Sequence, residues 1–173
     1  MSKVDLFYDD IETQVGIISA ILFQDKLIRV DFHPYEEDNE RTLRWLNQYF
    51  PERSMIKDTE KLAPFLQQIE EYFANKRTTF DLPYESYGTD FQKKVWRALT
   101  EIKYGQMVTY KQLAKRINNE KAARAVGGAL NKNPISIIVP CHRVVGSTGK
   151  MVGFGGGVDV KKQLLLHEKA VLV

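Results

Sequence analysis

Thr109-Tyr110-Lys111-Gln112-Leu113-Ala114-Lys115-Arg116-Ile117-Asn118-Asn119-Glu120-Lys121-Ala122-Ala123-Arg124-Ala125-Val126-Gly127-Gly128-Ala129-Leu130 reads as two short helices with a tight polar connection between them. Thr109 and Gln112 have capping-box spacing, so the first helix opens there and buries Leu113, Ala114 and Ile117. Asn118-Asn119-Glu120 interrupts the pattern, and Lys121 to Leu130 resumes it with Ala122, Ala123, Val126, Ala129 and Leu130 on the packed side. The pair predicts a helix-turn-helix, whose second helix usually meets nucleic acid, although many αα-hairpins bind nothing.

The second helix is rich in small residues, and Gly127 and Gly128 each cost about 1 kcal/mol relative to Ala in a helix interior. Such content suits close approach of a backbone, either a partner helix or a DNA groove. Arg124 is the one bulky side chain placed to read bases, so shape and backbone contact are expected to outweigh sequence readout. Lys111, Lys115, Arg116, Lys121, Ala123, Arg124 and Gly127 are the candidate DNA-binding residues, with Lys132 as a further phosphate contact.

Upstream, Thr89 and Gln92 repeat the capping-box spacing, and Phe91, Val95, Ala98, Leu99 and Ile102 mark one face of a helix ended by Lys103-Tyr104-Gly105. Downstream, Asn131-Lys132-Asn133-Pro134 breaks the helix, and Ile135 to Val139 reads as a buried, extended run leading to Pro140-Cys141-His142-Arg143. Cys141 is the only cysteine. A lone cysteine is more often inert core than reagent, but Pro140 fixes the entry, His142 supplies a base and Arg143 a positive charge. Glu168, on an expected final helix from Lys161 to Lys169, is the candidate carboxylate to orient His142; the plainer reading is an exposed helix-end charge. Six glycines between Gly146 and Gly157 form a loop without a phosphate-binding signature, and Phe154 offers a stacking surface on it.

The N-terminal half has no motif of its own. Val4 to Tyr8, Val15 to Phe23 and Leu27 to Phe32 read as strands, Asn39 to Phe50 and Lys61 to Asn75 as amphipathic helices, and Thr78 to Leu82 as a further strand. The expected organisation is an α+β domain over 1–82, a linker over 83–90 and a C-terminal domain over 91–173. Charge divides with it. Residues 1–90 hold 10 Lys+Arg against 18 Asp+Glu, net −8, whereas residues 91–173 hold 15 against 4, net +11, a footprint suited to a polyanion.

Hydrophobic content of 43% and charged content of 27% over 173 residues are ordinary for a globular protein. No apolar run spans a bilayer and Met1 to Asp10 lacks a signal-peptide layout, so a cytoplasmic protein is expected. One cysteine excludes an internal disulfide, and His33, His142 and His167 are too scattered for a metal cluster.

Taken together, Ile138-Val139-Pro140-Cys141-His142-Arg143-Val144-Val145, preceded by Arg124-Ala125-Val126-Gly127-Gly128-Ala129-Leu130 and Asn133-Pro134, resembles the O6-alkylguanine-DNA alkyltransferases. The likeness runs from about Phe91 to Glu168. It implies a ribonuclease-H-like α/β N-terminal domain and a helix-turn-helix, winged-helix-like C-terminal domain. It also implies irreversible transfer of an alkyl group from O6-alkylguanine in double-stranded DNA to Cys141, with O4-alkylthymine a further candidate substrate. His142 would act as base through a water, Glu168 would polarise it, and Asn133 would hold the active-site backbone. Tyr110 would contact the phosphate and base, and Arg124 would fill the space of the extruded nucleotide. Leu130, Val144, Phe154 and Gly155 would line the guanine pocket, with Met107 near it. No metal or cofactor is implied, and a monomer is expected. Phe154 stands where many relatives have Tyr, and the zinc-binding cysteines of some relatives are missing. Two rival readings remain: a DNA-binding alkylation sensor that transfers nothing, and a cysteine hydrolase built on Cys141, His142 and Glu168.

Overall fold

The computed structural model describes residues 2–37 and 39–173. The chain divides into two compact units, Met1–Tyr87 and Gly88–Val173.

In the first unit, β1 (Val4–Thr13), β2 (Gly16–Phe23) and β3 (Lys26–Asp31) form an antiparallel meander, and Gln24 and Asp25 adopt the left-handed conformation that a tight hairpin turn needs. Helix α1 (Glu40–Tyr49) follows, capped by the Asn39 side chain; then β4 (Arg53–Lys57) and α2 (Thr59–Phe73), capped by Asp58. The sheet order is β3-β2-β1-β4, with β4 parallel to β1. Ile18 to Leu22 are buried without alternation, as in a strand covered on both faces. Leu46 and Phe50 cluster with Leu6, Tyr8, Ile21 and Ile28, while α2 packs against β1 and β2 through Leu62, Phe65, Ile69 and Tyr72.

The strand expected at Thr78 to Leu82 does not form. Gln68 takes that backbone instead, accepting from Asp81 N at 2.9 Å and donating to its carbonyl at 3.0 Å, and Phe80 packs on Tyr72. The fourth strand is Arg53–Lys57, a sheet-edge segment whose charged ends hide its pattern. Residues 83 to 85 pair with Leu27 of β3.

In the second unit both capping boxes are present, Thr89 with Gln92 opening α3 (Asp90–Leu99) and Thr109 with Gln112 opening α4 (Tyr110–Arg116). Between them lies β5 (Gln106–Thr109), entered through Gly105 at φ +84. After α4 the chain turns at Asn118, left-handed at φ 59, passes one 3-10 turn at Glu120–Ala122 and enters α5 (Ala123–Asn131). The remainder supplies β6 (Val144–Val145), α6 (Val158–His167) and β7 (Val171–Leu172). The three short strands pair in parallel in the order β6-β5-β7, which joins residues far apart in sequence. Val95, Leu99, Leu113, Ala114, Val126 and Val144 are fully buried, each larger side chain contributing about 1.5–3 kcal/mol of hydrophobic stabilisation. The buried Trp96 indole donates to the Ala129 carbonyl at 2.8 Å, tying α3 to the end of α5. A Cβ on Gly88 would meet that indole at 2.5 Å, so the chain enters α3 where only glycine fits.

Candidate active site and nucleic-acid interface

The segment before Cys141 is a folded turn, not the extended run expected for Ile135 to Val139. Its organiser is the buried Asn133 amide, which donates to the Val139 carbonyl at 2.8 Å and accepts from Ile135 N at 3.0 Å. Ile137 is held at φ 70, a conformation a β-branched residue avoids unless its surroundings fix it. Cys141 N then donates to the Val139 carbonyl at 2.8 Å, and a 3-10 turn carries Cys141, His142 and Arg143 into β6.

All three side chains are buried, with His142 at 0% exposure and Cys141 at 6%. His142 Nε2 lies 2.8 Å from Glu168 Oε2, while Arg143 donates from Nε to Oε1 at 2.8 Å and from its terminal nitrogen to Oε2 at 3.1 Å. The same guanidinium reaches the Ile102 carbonyl at 2.6 Å. Glu168 is the residue that closes α6, which begins three residues before the expected start. Arg143 is therefore neutralised by Glu168, a different role from the thiolate partner its sequence position suggested.

Burial pushes the Glu168 carboxyl up, but His142 and Arg143 outweigh it and hold the group well below the usual carboxylate range. Burial lowers the His142 pKa, partly offset by Glu168. Burial raises the Cys141 thiol, opposed by the Asn133 amide and the Lys161 ammonium. The resting site thus holds a neutral thiol, a neutral imidazole and an ionised carboxylate. With Glu168 accepting the proton of Nε2, the imidazole lone pair is on Nδ1, which is buried and has no hydrogen-bond partner among the described residues. That is the configuration of a base anchored at one ring nitrogen and unpaired at the other.

Tyr110, half-buried at the start of α4, donates its hydroxyl to the Val152 carbonyl at 3.3 Å. Burial raises its pKa, and Cys141 adds to the effect, which places the phenol in the field of the thiol. Lys161 of α6 donates to the same carbonyl at 3.0 Å. The sequence did carry a signal for Lys161: with Leu164, Leu165 and Glu168 it falls at i, i+3, i+4 and i+7, a lysine on an inward-facing stripe. Of the expected pocket residues, Leu130 and Val144 are buried, Phe154 and Met107 half-buried and Gly155 exposed on the glycine-rich loop.

Lys111, Lys115, Arg116, Lys121, Arg124 and Lys132 are all exposed, and Ala123 and Gly127 are half-buried. Arg124 has no ion-pair or hydrogen-bond partner among the described residues. A Cβ on Gly127 would meet only the Tyr110 ring, at an ordinary 3.9 Å, and one on Gly128 would meet nothing within 4 Å. Packing inside the protein therefore does not require these two glycines.

Fold and site together define a two-unit protein in which a helix-turn-helix unit carries a buried cysteine–histidine–glutamate constellation. Residues 7–85 match the family described as "6-O-methylguanine DNA methyltransferase, ribonuclease-like domain", and residues 90–170 match "6-O-methylguanine DNA methyltransferase, DNA binding domain". The methylated-DNA–protein-cysteine methyltransferase of Methanosarcina barkeri is 41% identical over 164 residues, 95% of this chain and 98% of the relative. That of Haemophilus influenzae is 39% identical over 169 residues, 95% and 87% of the two chains. Among solved structures, the Mycobacterium tuberculosis O6-methylguanine methyltransferase superposes with a TM-score of 0.82 at 36% identity, covering 95% of this chain and 93% of its own. Mycobacterium tuberculosis OGT in complex with DNA superposes at 0.81 and 37% identity, covering 94% and 92%. The chain belongs to the 6-O-methylguanine DNA methyltransferase family. No helix among the described residues is long and apolar enough to cross a membrane.

Proposed function

We propose that this chain repairs DNA by direct reversal, taking the alkyl group from O6 of an alkylated guanine in duplex DNA onto Cys141. The observation that carries the reading is the unpaired Nδ1 of His142, backed by Glu168, on the residue that follows the only cysteine in the sequence of a helix-turn-helix unit. Direct displacement at a saturated carbon needs a thiolate and a leaving group that can accept a proton. His142 Nδ1, through one water, takes the proton from Sγ. The thiolate attacks the alkyl carbon, the S–C bond forms as the C–O6 bond breaks, and the released electron pair and a proton restore guanine. The thioether has no resolving cysteine in the chain, so each molecule acts once.

A base inside a duplex must leave the stack to reach a buried thiol, at a cost of roughly a few kcal/mol. The exposed, unpartnered Arg124 is suited to fill the gap, the small-residue face of α5 to lie in the groove, and Lys111, Lys115, Arg116 and Lys121 to meet phosphates. Tyr110 contacts the base or its phosphate, and Leu130, Val144, Phe154 and Gly155 enclose it. The protein acts as a monomer in the cytoplasm. A sensor without transfer would leave the Cys141–His142–Glu168 arrangement unused, and a hydrolase would leave Arg124 and the basic face unused. Incubation with duplex DNA containing O6-methylguanine should add the mass of one methyl group to Cys141, once per chain; repeated turnover, or no adduct, would refute the assignment.

A further inference from the structure

Lys161 is unaccounted for by the relay. Its side chain is buried at 1% exposure on the inward stripe of α6, where a leucine would pack at no electrostatic cost. It has no carboxylate partner among the described residues. Its ammonium donates to the Val152 carbonyl and lies 5.8 Å from the centre of the Tyr110 ring. The other buried cation of this unit, Arg143, is neutralised by both oxygens of Glu168. With His142 neutral, Lys161 leaves the pocket with one positive charge in excess; it lies over the Tyr110 ring, and its field acts on Cys141 and His142.

We infer that Lys161 is the counter-charge of the Cys141 thiolate, held at its station by the Val152 carbonyl that it shares with Tyr110. When Sγ passes its proton to His142, the pocket keeps its one excess positive charge, and the new thiolate has the Lys161 ammonium as its counter-charge, so no buried anion is left uncompensated. Burial draws the ammonium down to about 8 and the thiol opposes that shift, as mutual attraction requires. Lys161 also disfavours a charge on His142, so the imidazolium formed when it takes the Sγ proton readily gives that proton up to the departing base. Tyr110 and Lys161 meeting at one carbonyl also link the charge to the glycine-rich loop.

The inference rests on Cys141 being the nucleophile, but its test does not require transfer from DNA. In DNA-free protein, the rate of Cys141 alkylation by iodoacetamide is followed against pH. Lys161→Met should move the midpoint up by about one pH unit, and Lys161→Arg should restore most of the shift. On methylated duplex, Lys161→Met should transfer about tenfold more slowly at about pH 7 and recover as pH rises, a profile that loss of packing would not give. An unchanged midpoint, or a slow rate that higher pH does not relieve, overturns the assignment. Should the Met variant fail to fold, the unaltered protein still decides: a pocket with excess positive charge favours anionic iodoacetate over neutral iodoacetamide more than glutathione does, and a ratio at or below that of glutathione overturns it. Failure of DNA transfer with a shifted midpoint would instead count against the repair reading alone.

Discussion

Glu168 Oε2 lies 2.8 Å from His142 Nε2, although the two residues are 26 positions apart in the chain, and both side chains are buried. The contact determines which imidazole nitrogen is the base, because a carboxylate on Nε2 leaves the lone pair at Nδ1. Glu168→Gln keeps the shape but removes the charge that pairs with Arg143 and aligns His142. Breaking one side of a buried ion pair typically costs about 3–5 kcal/mol, since the remaining charge is stranded. The variant should unfold at clearly lower urea concentration and transfer methyl groups about 100-fold more slowly in single-turnover assays. Unchanged stability and rate together would mean that the contact is incidental.

The same pair makes stability depend on pH, with one sign in two windows. The pKa of His142 is lowered on folding, so the unfolded chain binds more protons and stability falls as pH drops below about 6.5. Glu168 is also lowered on folding, by His142 and Arg143 against the effect of burial; its contribution is complete above the unfolded value of about 4.3 and is lost on further acidification. Urea midpoints measured against pH should fall in two stages, and His142→Asn should remove the upper one. A flat profile between about pH 5 and 7 would contradict a buried neutral imidazole.

How much of this was readable from the chain depends on whether the signal is local. Thr89 with Gln92 and Thr109 with Gln112 announced two helix starts because a capping box is complete within four residues. The β6-β5-β7 sheet was invisible, since strands of two to four residues paired from positions 106, 144 and 171 carry no periodicity. Thr78 to Leu82 has strand-like composition, but Gln68, ten residues upstream, takes its backbone. In the site, Cys141 and His142 stand side by side in the sequence, and Glu168 is a candidate partner because the C-terminal half has few acidic residues, although its contact with His142 is not local. Lys161 was overlooked because a lysine on an apolar stripe is ordinarily a solvated helix end.

Asn133 binds both ends of the turn that presents Cys141. Asn133→Ala leaves Ile135 N unpaired in a buried setting, at about 1–3 kcal/mol, and leaves the Val139 carbonyl with Cys141 N as its donor. It also frees Ile137 from its left-handed conformation, so the thiol should lose its fixed position. We expect a marked drop in melting temperature and slower transfer even to the free base O6-methylguanine. Normal activity on the free base would show that the turn is held by other contacts.

Arg124 is exposed on α5 and has no ion-pair or hydrogen-bond partner among the described residues. Arg124→Ala should therefore leave the melting temperature unchanged within about 0.5 kcal/mol of stability. Repair of duplex DNA should fall far more than reaction with the free base, since only the duplex has a gap to fill. Equal losses on the two substrates, compared as second-order rate constants, would remove the intercalating role.

Gly128 separates the demands of folding from those of binding. It lies in the interior of α5, with nothing within 4 Å of where its Cβ would be, so Gly128→Ala meets no steric objection and gains helix propensity of about 1 kcal/mol. If the small-residue face lies against DNA, Gly128→Leu should stabilise the isolated protein too, by somewhat less, while weakening duplex binding by tenfold or more, about 1.4 kcal/mol. Thermal melts and salt-controlled binding titrations should then rank Gly128→Leu above the unaltered protein in stability and below it in duplex binding. A leucine variant that is more stable and binds duplex normally would place the DNA on another face of the unit.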